Sequence, residues 1–185
     1  MSQDKEITVT VSTAAQMRAL GRALATTARP GDLLILAGGL GAGKTTLVQG
    51  LGDGLGVRGP ITSPTFVIAR VHPPAATERT AGGLAGPRPA LVHVDAYRLG
   101  SALELDDLDL DTDLAASVTV VEWGEGMAED LSADRLEIAI AVDGAGSVEP
   151  LDDLTADTPR TVRIRPVGGR WEGLELPLAG LADRL

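Results

Sequence analysis

The run Gly38-Gly39-Leu40-Gly41-Ala42-Gly43-Lys44-Thr45 places a lysine and a hydroxyl directly after a cluster of glycines. It fits G-x-x-x-x-G-K-[ST], a spacing with a physical reason at each position. Glycine reaches backbone angles that other residues resist, so consecutive N–H groups can turn inward around phosphate oxygens. A helix starting at the lysine adds the positive end of its dipole. Lys44 then supplies a mobile charge for the β- and γ-phosphates, and Thr45 offers a hydroxyl to Mg²⁺. The whole of Gly38–Thr46 is expected to cradle ATP with Mg²⁺.

Mg²⁺ needs an oxygen shell and commonly borrows a carboxylate from the end of a neighbouring strand. Asp95 follows Leu91-Val92-His93-Val94, and Glu122 follows Val118-Thr119-Val120-Val121. Each acid stands where an apolar run ends, at the carboxyl edge where open α/β sheets hold ligands. One could reach the metal directly or through water while the other orients the attacking water; spacing alone does not assign the roles. Between them and the glycine loop lies Thr62-Ser63-Pro64-Thr65-Phe66. Its hydroxyls suit sensing of a γ-phosphate, although Ser-Pro is equally at home in an ordinary turn.

These residues need elements to hold them. Leu33–Ala37 is a short unbroken apolar run, as in a strand buried on both faces. A helix is predicted from about Lys44 to Leu55, closed by Gly56, Gly59 and Pro60. Upstream, 6–11 alternates as a strand, with Ile7, Val9 and Val11 on one face. Thr13 with Gln16 forms a capping box for a helix carrying Met17, Leu20, Leu24 and Ala28, stopped by Arg29-Pro30-Gly31-Asp32. Further strands are predicted at 66–71, 90–94 and 117–121. Antiparallel strands are predicted late in the chain, at 135–142 and 161–165. A short helix and turn fits 102–114. Pro, Gly, Ala and Thr crowd 72–89, which reads as a long flexible surface insertion. An acidic loop spans 143–159, and the tail from Trp171 to Leu185 is expected to pack on the body, with docking a partner as the alternative. The expected fold is α/β, a P-loop NTPase-like three-layer arrangement with a mixed, partly parallel sheet flanked by helices. The division is a P-loop ATPase domain over 1–144 and a C-terminal extension over 145–185.

With 185 residues and 44% apolar content the chain can bury one sizeable core. A formal charge of −10 argues against gripping nucleic acid alone, since phosphate-backbone binding relies on clustered Lys and Arg. There is no cysteine, which excludes disulfides, Cys-ligated zinc and thiol catalysis, and there are only two histidines, His72 and His93. His93, inside an apolar strand, reads as a core histidine. Neither a signal pattern nor a bilayer-length apolar run is present, so the expected compartment is the cytoplasm, with no membrane partner.

In order, GGLGAGKTTLVQGL, TSPTF, HVDAYRL and VEWGE resemble the TsaE (YjeE) family of bacterial P-loop ATPases, over about Thr8 to Ile140. The resemblance implies an ATPase, weak alone, that acts with TsaB and TsaD homologues. Together they make N6-threonylcarbamoyladenosine on tRNAs reading codons that start with A, with tRNA met only through the complex. It implies that Lys44 and Thr45 bind ATP and Mg²⁺, that Asp95 coordinates the metal and that Glu122 serves hydrolysis. It further implies that Ser63, Pro64, Thr65 and Phe66 switch with nucleotide. A threonine bordering adenine is implied within 12–17. The family's second loop residue is usually Asp, where this chain has Gly39.

A small-molecule or nucleotide kinase is the alternative, with Arg70, Arg79 and Arg88 as the arginines of a conceivable lid. A GTPase is disfavoured because N-K-x-D needs an asparagine and the chain has none.

Overall fold

A computed structural model of the chain describes residues 5–75, 88–106, 108, 115–143 and 158–179. Seven strands form one sheet in the order β1-β7-β6-β2-β5-β4-β3. They are β1 (Ile7–Val11), β2 (Leu33–Gly38), β3 (Ala69–His72), β4 (Ala90–Asp95), β5 (Ser117–Glu122), β6 (Arg135–Val142) and β7 (Arg160–Val167). The four strands β6, β2, β5 and β4 run parallel. Antiparallel pairs complete each side, β7 with β6 and β1 on one, β3 with β4 on the other. The mixed α/β architecture expected from the sequence is therefore present.

Two helices, α1 (Ala14–Ala25) and α2 (Lys44–Leu55), cover one face. The larger core lies beneath them, built from Leu20, Leu47, Leu51, Leu34, Leu36 and Val120 among others. The other face is covered more lightly. Leu33, Ile35, Val92, Val94 and Val121 pack there against Leu105 of the short helix α3 (Ala102–Asp106) and Ala128 of a turn. The alternation read at 6–11 and the unbroken apolar runs at β2, β4 and β5 correspond to these one-sided and two-sided burials. Thr13 caps α1 as its spacing predicts: its hydroxyl accepts from the Gln16 amide, and the Gln16 side chain accepts from the Thr13 amide.

Helix α2 contains three internal glycines, at 50, 52 and 54, a poor composition for a helix. Close packing explains Gly50: a Cβ there would stand 2.0 Å from the Arg18 carbonyl oxygen on α1. The two helix backbones touch, which no side chain permits. Gly50→Ala is expected to destabilise the fold by about 3 kcal/mol through overpacking. In a chain this size that corresponds to a melting temperature lower by roughly 6–12 °C, read in a thermal melt.

Several expectations require correction. The strand expected at 66–71 begins only at Ala69. Phe66, Val67 and Ile68 form a turn, because the Pro64 carbonyl accepts from the amides of both Val67 and Ile68. Ile68 takes a left-handed backbone at φ 68° there. The segment read as an insertion begins within the fold: His72 ends β3 and is buried, and Pro74 bridges to Val57. Residues 76–87 lie outside the described residues, as do 107, 109–114 and 144–157. The strand at 135–142 is antiparallel only towards β7; towards β2 it is parallel. The late strand is longer than expected and sits inside the sheet, between β1 and β6. Trp171 is buried, and Leu174, Leu176 and Leu178 pack on the larger core, as the tail's apolar residues suggested. Leu181 lies outside the described residues. Among the described residues no helix is long and apolar enough to cross a membrane.

Candidate functional site

The glycine loop leaves the carboxyl end of β2, and α2 starts at Lys44. Gly43, the residue before the helix, has φ 108°, a left-handed value that favours glycine. The neighbouring strands end level with it. In register, Glu122 of β5 pairs with Leu36 of β2 on one side and with Asp95 of β4 on the other. Two carboxylates thus stand side by side at the sheet's carboxyl edge, next to the loop. A cleft of ≈270 Å³ lies between them, lined by 40–46, Ser63, Thr65, Asp95, Glu122 and Trp123.

Lys44 is buried and folds back over its own loop. Its Nζ donates to the carbonyls of Gly38 (2.7 Å) and Gly39 (2.9 Å) and lies 3.7 Å from the centre of the Trp123 ring. Burial pulls its pKa below the ordinary lysine value, opposed by the carboxylates of Glu122 and Asp95. Trp123 holds this position by a left-handed backbone, φ 59°, while its amide still donates to Leu36 O. Such a conformation in a bulky residue marks a site over-determined by its surroundings.

The acids are each engaged. The Thr45 hydroxyl donates to Glu122 Oε1 at 2.9 Å, and fully buried His93 shares a 2.7 Å hydrogen bond between its Nε2 and the same oxygen. Asp95 Oδ2 accepts from Thr65 Oγ1 (2.5 Å) and Ser63 Oγ (3.1 Å), while its Oδ1 accepts from the Tyr97 amide. Donors from the glycine loop and from the Ser63–Thr65 turn therefore converge on two strand-end acids. Thr45, Asp95 and Glu122 offer oxygen only, the donor set a hard divalent cation such as Mg²⁺ prefers.

Not every residue named from the sequence enters the cleft. Pro64 is buried beneath the turn. Phe66 points outward, 84% exposed, with the Arg98 guanidinium over its ring. Gly38 and Gly39 contribute their carbonyls to Lys44. Gly39 has open space where a Cβ would stand, so packing does not require glycine there. Arg70 reaches only the Thr62 hydroxyl, Arg88 lies against Gly56, and Arg79 is outside the described residues. Lys44 is the one cation lining the cleft among the described residues.

Three functional neighbours escaped the sequence reading. His93 is buried, as its apolar strand suggests, and it also hydrogen-bonds Glu122; its place two residues before Asp95 on the same strand was the available signal. Trp123 was noted only as following Glu122. Arg160 gave no signal at all. A second, smaller pocket of ≈160 Å³ adjoins the loop on the α1 side, lined by Thr13, Ala14, Met17, Gly41, Gly43, Thr46 and Arg160. It shares Gly41, Gly43 and Thr46 with the cleft.

Comparison with known proteins places this arrangement. The family model for the "Threonylcarbamoyl adenosine biosynthesis protein TsaE" matches residues 11–147. The chain is 56% identical over 156 residues to the tRNA threonylcarbamoyladenosine biosynthesis protein TsaE of Streptomyces coelicolor, covering 84% of this chain and 93% of that one. The Bacillus subtilis protein of the same name is 35% identical over 160 residues, 86% of this chain and 85% of its own. The crystal structure of Bacillus subtilis YdiB superposes with a TM-score of 0.63 at 29% identity, covering 91% of this chain and 90% of that one.

Proposed function

The chain belongs to the TsaE family, and from that membership we propose that it is the ATP-binding and hydrolysing subunit of the bacterial machinery that makes threonylcarbamoyladenosine on tRNA. The observation that carries the ATPase reading is the register of Asp95 with Glu122 beside the glycine loop, with the Thr45 hydroxyl already on Glu122. ATP is the proposed ligand: its phosphates follow the loop amides, and its base occupies the smaller pocket at Thr13 and Met17. Thr45 and Asp95 hold Mg²⁺ in this reading, with Glu122 at the metal or at the water. A Mg²⁺ held by these oxygens would supply positive charge to offset that of the phosphates.

The chain's own groups do the rest. Lys44 leaves the Gly38 and Gly39 carbonyls for the phosphates. Glu122, fixed by His93, accepts the proton of an attacking water at a carboxylate oxygen. Phosphoryl transfer depends on charge placement, and a cation missing from one chain can be supplied by another. With Lys44 the one cation lining the cleft among the described residues, turnover by the isolated subunit is expected to be slow.

TsaB and TsaD homologues are the proposed partners, and tRNA is met through them. Large apolar side chains at the rim support a protein-binding role there: Leu40 is 66% exposed, Phe66 84% and Tyr97 61%. The test measures ATP turnover at saturating nucleotide with and without the two homologues. Stimulation of about tenfold or more is expected, the scale at which a group supplied in trans acts. An unchanged rate would end the proposal.

A further inference from the structure

Arg160 is the first residue of β7, beyond the span that the family model matches. β7 is held on both sides: Arg160 is in register with Val11 of β1 and with Val142 of β6. From there the side chain crosses to the glycine loop. Its Nε donates to the Ala42 carbonyl at 3.0 Å, and its Nη1 donates to the Thr158 carbonyl at 2.5 Å. The guanidinium is thus tied at one end to the residues just before its own strand and at the other to the loop.

The consequence follows from peptide geometry. The Ala42–Gly43 bond is trans, since no peptide bond among the described residues is cis. In a trans planar unit the carbonyl oxygen and the next amide hydrogen point in opposite directions. Drawing the Ala42 oxygen towards β7 therefore aims the Gly43 N–H away from β7, towards the phosphate cleft. Nothing else in the loop does this. The Ala42 amide is spent on Gly39 O, and the Gly39 oxygen also receives Lys44. Free rotation of the Ala42–Gly43 plane would be easy in a glycine loop, because Gly43 tolerates both signs of φ. Met17 guards the same turn: a Cβ on Gly43 would meet Met17 Cε at 3.2 Å.

We propose that Arg160 is a positioning residue of the nucleotide site, which locks the Ala42–Gly43 peptide so that the Gly43 amide is presented to phosphate before ligand arrives. The inference rests on the nucleotide reading of the cleft. It concerns the phosphate chain, not the base, even though Arg160 also borders the smaller pocket. That distinction is what the test reads.

Binding of ATP and of inorganic tripolyphosphate, each with magnesium, is measured by calorimetry for the wild type, Arg160→Met and Arg160→Lys. Arg160→Met is expected to weaken both ligands by the same factor, about tenfold, the scale of a charge-assisted hydrogen bond. Arg160→Lys is expected to recover part of the loss for both, because an ammonium can still donate to the Ala42 oxygen. The melting temperature of the ligand-free protein should stay within about 2 °C, as for a surface-type change. If the Met variant instead folds poorly, Arg160→Gln replaces it under the same equal-loss criterion. Unchanged affinity for tripolyphosphate overturns the proposal, whether or not ATP is weakened; loss of ATP alone would mean that Arg160 touches the base or ribose. A wild type that binds neither ligand would refute the nucleotide reading itself and this inference with it, and that failure shows before any variant is made.

Discussion

Lys44→Ala is expected to abolish measurable MgATP binding, with an affinity loss of at least ~100-fold, about 2.7 kcal/mol. The lysine is the one cation lining the cleft among the described residues, and two carboxylates, Asp95 and Glu122, face the same space. A triphosphate entering without Lys44 would meet the loop amides, neutral side chains such as Thr45 and Thr65, and two carboxylates with no cation to offset them among the described lining residues. The ammonium is also prepared for transfer. Its present partners are two neutral carbonyls and an indole face, all weaker attractors than a phosphate oxygen. Burial, which depresses its pKa, further favours exchange for a fully charged partner. Calorimetric titration checks the prediction. An affinity within threefold of the wild type would show that the loop does not hold phosphates through this residue.

Glu122→Gln is expected to separate binding from turnover. The amide keeps the shape of the carboxylate and one acceptor oxygen for the Thr45 hydroxyl or for His93. It cannot take a proton from water. Turnover should therefore fall by about 100- to 1,000-fold, some 3–4 kcal/mol of barrier. Nucleotide affinity should change much less. Single-turnover hydrolysis in the presence of the partner proteins gives the cleanest measurement. A variant that turns over normally would remove Glu122 from the chemistry and leave Asp95 as the remaining candidate.

Much of this site was legible before any coordinates. The glycine loop announces itself because its chemistry is local: every residue of 38–46 acts within one turn of chain. Asp95 and Glu122 were legible as strand-end acids for the same reason, since each follows its own apolar run. Their adjacency was not. It depends on β4 and β5 being parallel neighbours in register, a pairing between segments separated by 96–116. His93 shows the same limit. An apolar strand explains its burial, but only the register explains its bond to Glu122.

Phe66 and Arg160 mark two further limits. Phe66 looked like the start of a strand because aromatic and β-branched residues favour one. The turn won because Pro64 accepts two amides and the hydroxyls of Ser63 and Thr65 are drawn to Asp95. Arg160 acts across a sequence separation of 118 residues, and no local pattern reports on such a contact.

The placement of β7 between β1 and β6 has a consequence for how the protein is born. Synthesis runs from the first residue onward, but β1 hydrogen-bonds within the sheet through β7. β1 must wait for β7, far downstream, before it can pair: Ile7 waits for Ile164. Such long-range pairing slows folding relative to local contacts. A nascent chain stalled before Arg160 would carry a finished glycine loop and an unanchored first strand. The Arg160 contact to the glycine loop therefore forms only once β7 has emerged.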